Sequence, residues 1–191
     1  FDSGGIRLEG HADFLAEPEV AFRAELTMDG VSLAPLIPIT ARYNVQLTRG
    51  VMSAEGWVEY APNIKAVHLQ RLAIDALHMD YVHAARTKRA EAARAKATVD
   101  TAQSINANEE ASVLVDQVRI EGGELGFVNE AASPEYRIYL TDANVSLEHY
   151  SNRLREGPAS MMIQGKFMGT GETQISAVMR PPEDSPDLEL K

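Results

Sequence analysis

Between residues 112 and 181 polar and apolar side chains alternate in stretch after stretch, with turn residues between the stretches. Val118, Ile120 and Gly122 alternate with Arg119 and Glu121, and Leu125-Gly126-Phe127 follows a Gly122-Gly123 turn. Beyond Pro134 the run Tyr136-Arg137-Ile138-Tyr139-Leu140 alternates again. After a further turn, residues 159–167 do the same and lead into Gly169-Thr170-Gly171. A period of two sends successive side chains to opposite faces of a pleated strand, so the pattern predicts a meander of antiparallel strands. The N-terminal part reads likewise. Ile6, Leu8, Gly10, Ala12 and Phe14 alternate with Arg7, Glu9, His11 and Asp13; past Pro18, Val20, Phe22, Ala24, Leu26 and Met28 alternate with Ala21, Arg23, Glu25 and Thr27. Asp29-Gly30 is a turn dipeptide, and 33–38, with two prolines, suits a short capping segment. Strands are expected at 41–48 and 52–60, joined at Arg49-Gly50, and from about 64 to 79.

Residues 84–105 break the pattern. Ala, Arg, Lys and Glu dominate, Gly and Pro are absent, and helix propensity is high. One long helix of roughly 30 Å is expected there. Its apolar positions are almost all Ala, with Val99 and Ile105 the larger ones, so it lies lightly on the sheet or projects into solvent. The fold class that follows is mainly β with one long helix (α+β). A first strand set occupies 1–80, the helical insertion 84–105, and a second strand set 112–191. The chain starts at Phe1 and ends Leu188-Glu189-Leu190-Lys191, and is read as an excised piece of a larger protein.

The net charge of −10 argues against a nucleic-acid partner, which needs a basic face, and against simple electrostatic docking on anionic lipid. With no cysteine there are neither disulfides nor thiolate metal sites. His11, His68, His78, His83 and His149 form no His-x-His or His-Glu-x-x-His pattern and read as strand-face or surface residues. Neither Ser3-Gly4 nor Ser53 offers the strained elbow of a nucleophilic serine. The run Gly165-Lys166-Phe167-Met168-Gly169-Thr170-Gly171 has the wrong order for a phosphate loop, with no helix after it, and reads as a hairpin turn. Glu183, Asp184, Asp187 and Glu189 surround prolines without the spacing of a calcium loop, and read as a solvated linker. Asn144-Val145-Ser146 matches a glycosylation sequon, a pattern common by chance. The basic residues of the helix, Arg86, Lys88, Arg89, Arg94 and Lys96, suit either contact with lipid head groups or an acidic partner, or a plain solvated helix. No catalytic, cofactor or metal site emerges.

The strands leave one apolar face, for which Val20, Phe22, Leu26, Met28, Met52, Val58, Leu125, Phe127, Met161, Ile163 and Phe167 are the candidates. Covered by a second layer, that face is a core. Covered only by the curl of the sheet, it is a hydrophobic groove able to take an acyl chain.

The series Glu124-Leu125-Gly126-Phe127-Val128-Asn129, Ser133-Pro134-Glu135-Tyr136-Arg137-Ile138-Tyr139-Leu140, Tyr150-Ser151-Asn152, Gly165–Gly171 and Arg180-Pro181-Pro182 resembles the AsmA-like bacterial envelope proteins. Within them it is most similar to the branch catalogued as a domain of unknown function. Gly50-Val51-Met52-Ser53-Ala54-Glu55-Gly56 and the Lys/Arg/Ala helix also fit. The resemblance implies a periplasmic, β-rich body whose parent is anchored in the inner membrane by a part outside this chain. It implies a curved, mostly antiparallel sheet shaped as a groove or taco, and no catalytic motif. The function it implies is non-enzymatic: phospholipid transport to, or homeostasis of, the outer membrane, with acyl chains as partners and nucleic acid excluded. The rival expectation is a structural or scaffolding β-module of the envelope that binds protein partners through exposed strand edges.

Overall fold

A computed structural model of the chain describes residues 4–15, 21–61, 64–107, 111–152 and 158–179. Eight strands form one curved, unclosed sheet in which sequence order is also spatial order: β1 (Gly5–Asp13), β2 (Ala21–Ser32), β3 (Val45–Ala61), β4 (Ile64–His83), β5 (Ala111–Asn129), β6 (Tyr136–Ser151), β7 (Ala159–Phe167) and β8 (Gly171–Met179). Neighbours are antiparallel except β4 and β5, which run parallel. Strands from both expected sets therefore share a single sheet, joined at its centre by the parallel pair. A parallel pair needs a crossover rather than a hairpin. Helix α2 (Lys88–Ala107) makes it.

That helix corrects the expectation of an α+β fold with one long helix over 84–105. Residues 85–87 form a turn, and of residues 88–97 only Glu91 and Arg94 are less than fully exposed. α2 is a connection, not a second layer, and the fold is mainly β. The remaining helical structure is the capping segment. Here the short α1 (Ile37–Thr40) lies between two 3-10 turns, Ala34–Leu36 and Ala41–Tyr43, and Asn44 ends the run with φ of 61°.

β3, β5 and β6 run through breaks the sequence implies, and β4 extends past its expected end near 79 to His83. β4 has 20 residues, about 66 Å at ~3.3 Å per residue, against a usual 3–10 residues. The expected breaks at Asp29-Gly30, Arg49-Gly50, Gly122-Gly123 and after Leu140 all lie inside continuous strands. They are bulges. Gly30, Ala76, Gly122 and Asp142 have φ of 59°, 49°, 59° and 50°. Register shifts fall at Met28/Val31, Arg49/Val51, Ile120/Gly123 and Thr141/Asn144. Asp75 pairs with both Val51 and Glu121, so these irregularities stand in line across the sheet. A bulge bends its strand and raises its twist. A line of them from β2 to β6 bends the sheet along one crease.

The bulges also keep the faces pure. Along one face of β4 the large apolar residues fall at Val67, Leu69, Leu72, Ile74, Leu77, Met79 and Tyr81, with steps of two interrupted twice by three. Strict alternation would send half of them to the other face. Each extra residue restores the phase: Leu69 and Leu72 sit opposite Gly56 and Ala54, which share a face two residues apart. β5 repeats the same steps at Val113, Val115, Val118, Ile120, Gly123, Leu125 and Phe127, paired in constant register with β4. One face of the sheet is consequently apolar and the other charged.

At the crease Leu33, Leu47 and Leu77 form a small buried cluster, with Met52, Ile74, Met79, Ile120 and Leu125 against it. The Leu33 N–H donates to the Gly50 carbonyl at 2.9 Å. A Cβ on Gly50 would lie 2.8 Å from Leu33 Cδ1 and 3.2 Å from Leu77 Cδ1, so glycine there lets both leucines close over the strand without shifting.

Candidate functional site

The apolar face runs unbroken from edge to edge. One register row reads Ile6, Met28, Ala54, Leu72, Val118, Leu147, Met161, Ala177, one residue from each of the eight strands. The next reads Val31, Met52, Ile74, Ile120, Val145, Ile163, Ile175. Beyond the crease Leu47, Met79, Leu125, Leu140 and Phe167 form a third.

Every expected groove residue that the structure describes lies on this face. Phe22 stacks on Tyr60 at 5.8 Å, with Leu26, Met28 and Val58 beside them in register. Met52 and Leu125 pack against the crease cluster. Phe127 stacks between Tyr81 (6.2 Å) and His83 (6.4 Å). Met161 pairs with Leu147, Ile163 with Val145 and Phe167 with Leu140. Val20 lies outside the described residues. The candidate set omits Leu72, Ile74, Val145 and Leu147, which share the same rows, and also Val118 and Ile120, although their alternation is read in the sequence; the 2-3-2-3 spacing in β4 and β5 is the signal that joins them to it.

Most of this face has no cover among the described residues. Only the capping segment and the first turns of α2 stand against it, both at the Tyr81 end. Among the described residues, buried apolar residues are few and mostly alanine, and no large side chain is fully buried.

Polar atoms on the apolar face lie towards its ends. Lys65 and Tyr60 pair at one end, and Tyr81 and His83 lie at the other. There Glu91 ties α2 to the sheet. Its Oε1 accepts from Thr87 Oγ1 (2.5 Å) and Asn44 Nδ2 (2.8 Å), and its Oε2 lies 2.6 Å from His83 Nδ1. These bonds, Thr87 first and then His83, hold the Glu91 carboxyl down at about 2. Burial, followed by the charge of Glu91, raises the Tyr81 hydroxyl. Arg94 lies over the Tyr43 ring at 5.5 Å and pins the next turn.

The opposite face is a charged lattice. Arg137 bonds Asp80 at 2.8 Å and Glu124 at 2.7 Å, and these bonds, Asp80 first, raise its already high pKa further; its guanidinium also stacks on Tyr139. Arg23 lies 4.7 Å above the Trp57 ring, and His68 bonds Asp116 at 2.8 Å. No group of three His, Asp or Glu residues is placed to hold a metal among the described residues. The acidic cluster 183–189 lies outside them.

The apolar face is a continuous surface on which apolar groups can be buried. The apolar face spans about 34 Å across seven strand spacings of ~4.8 Å. The acyl region of one membrane leaflet is about 15 Å deep, half of a ~30 Å hydrocarbon core, so the face is wide enough for whole tails. Comparison with protein-family models, with curated proteins and with solved structures finds no match to this chain.

Proposed function

We propose that this chain is a non-enzymatic, lipid-holding segment of a bacterial envelope protein, laying phospholipid acyl chains along the apolar face of its creased, groove-like sheet. The parent would be anchored in the inner membrane, with this body in the periplasm, and would assist phospholipid movement towards the outer membrane. One observation carries the reading: apolar rows cross five to eight strands, and among the described residues no second layer stands over most of them. The resemblance of residues 124–182 to AsmA-like proteins supports the envelope setting. Tails would be held by burial of about 25 cal/mol per Å², which is non-directional, so selectivity among tails is weak. Head groups would sit towards the polar ends of the face.

The test is lipid mass spectrometry after denaturing extraction of the chain purified from a bacterial host, against a mock purification. Stoichiometric phospholipid is expected, and its loss in Phe167→Asp and Leu26→Asp with the circular dichroism spectrum unchanged. Absence of lipid from the wild type, or unfolding of both variants, would favour a sealed β-module. That second reading, a scaffold acting through strand edges, has its own support in β1 and β8, which each pair on one side only among the described residues.

A further inference from the structure

Residues 30–41 carry no charged side chain, and the capping segment within them exposes its apolar residues. Leu36 is 40% exposed, Ile37 38%, Ile39 52% and the adjoining Tyr43 57%. The polar groups of the segment are largely bonded internally. The N–H groups of Leu36, Ile37, Ala41 and Asn44 donate to the carbonyls of Leu33, Ala34, Ile37 and Ala41. Pro35 and Pro38 have no N–H to satisfy. Thr40, the one polar side chain from 33 to 41, donates its hydroxyl to the Ile37 carbonyl at 3.1 Å. A segment so bonded can enter an apolar phase with few polar groups stranded.

Beside this tip stands a basic corner. The Asn44 amide donates to Glu91 at 2.8 Å and Arg94 lies over the Tyr43 ring, so the cap and the start of α2 form one unit. Arg42, Arg86, Lys88, Arg89 and Lys96 are exposed on these two elements and the turn before α2. Glu91 and Glu130, at the same corner, are engaged: Glu91 by Thr87, Asn44 and His83, and Glu130 by Arg86 at 3.3 Å. The chain as a whole carries −10. Charges beyond a Debye length, about 10 Å at ~0.1 M salt, are screened, so the local excess of base governs contact here. We propose that this corner docks on the surface of an anionic lipid bilayer. Leu36, Ile37 and Ile39 enter the acyl boundary, and Arg42, Lys88 and Arg89 meet the phosphates.

A fluid surface fits this corner better than a protein partner does. The tip offers apolar burial and the bases offer charge, neither of them directional, and few free polar groups remain for a partner to read. Tyr43 adjoins Arg42, and a ring with a polar tip suits the membrane interface. α1 has four residues, so the tip lies in the interface and does not span it. An apolar insertion or a basic patch alone binds marginally; the two together hold. Contact brings the Tyr81 end of the apolar sheet face to the bilayer. The docking stands whether or not that face carries lipid.

Flotation of the 191-residue chain with vesicles of equal parts phosphatidylglycerol and phosphatidylcholine is the test. The wild type should float at ~0.05 M salt and lose about tenfold in affinity at ~0.5 M. Vesicles of phosphatidylcholine alone should bind about tenfold more weakly. Ile39→Asp removes an apolar contact, and K88E/R89E reverses the charge of the first two residues of α2. Each should weaken binding about tenfold. Ile39 is exposed, and acidic residues in the first turn stabilise a helix, so both variants keep the fold, as circular dichroism checks. Leu26→Asp, on the apolar sheet face, should float as the wild type does, while both tip variants keep any phospholipid that co-purifies with the chain. No flotation, equal flotation on both kinds of vesicle, or flotation indifferent to either tip variant would overturn the proposal. So would loss of flotation in Leu26→Asp alone, which assigns binding to the sheet face. Capture by immobilised poly-glutamate without flotation would also overturn it, and would assign the bases to an acidic protein.

Discussion

The apolar face has two regions built from the same residue types at the same spacing, and they meet different fates. At the crease, Leu33, Leu47 and Leu77 are buried, because the capping segment folds back over Gly50. Towards β1 and β2, Ile6, Leu8 and Phe22 stand exposed, because no described element returns over them. Amphipathic alternation decides which side of a strand is apolar; chain connection decides whether that side becomes core. Stability should therefore concentrate at the crease, and ligand capacity in the open rows.

The sharpest way to break this division is to remove a bulge. Deleting Ala76, whose φ is 49°, would turn Leu77, Met79 and Tyr81 towards the charged face. Loss of the cooperative fold is expected, a cost above ~4 kcal/mol, read by thermal melting and soluble yield. Leu77→Ala leaves the phase intact but empties the cluster, and should cost about 2–4 kcal/mol in urea unfolding.

The Glu91 tie gives a smaller, pH-dependent effect. Its carboxyl is lowered from 4.5 to about 2 in the folded chain. A depressed carboxylate contributes stability that is fully present above its unfolded value. That contribution falls as pH drops from about 4.5 towards 2 and is gone below the folded value. Amide exchange across α2 should accelerate over that window in the wild type, and Glu91→Gln should flatten the dependence. Smallest of all is Leu26→Ser in the open rows. A change within about 1 kcal/mol in urea unfolding is expected there, since the residue leaves no cavity behind it. A cost matching that of Leu77→Ala would erase the distinction between the two regions.

Strand residues were legible wherever alternation is uninterrupted, as in β1, β7 and the Gly165–Gly171 hairpin. Strand length was not. Gly30, Gly122-Gly123 and Arg49-Gly50 carry turn chemistry, and the left-handed φ that suits a hairpin turn also suits a bulge inside a strand. Only the residues beyond, resuming on the same face after a step of three, separate the two. The parallel union of β4 and β5 was equally hidden from local pattern, since strand direction depends on the crossover. Its trace is long-range: the matched steps from Val67 to Tyr81 and from Val113 to Phe127. The candidate face was found because Phe22, Leu26, Met161 and Ile163 lie in simply alternating strands. Leu72 and Leu147 escaped because β4 and β6 change phase along their length.

The most direct measurement places a photoreactive phenylalanine analogue at adjacent positions on opposite faces: Leu26 against Thr27, and Met161 against Met162. The chain is made in a bacterial host, irradiated in cells, and read by intact mass. Phospholipid adducts at Leu26 and Met161, with none at Thr27 and Met162, are the expected result. Equal labelling on both faces, or none at Leu26 and Met161, would contradict an open apolar face that holds lipid.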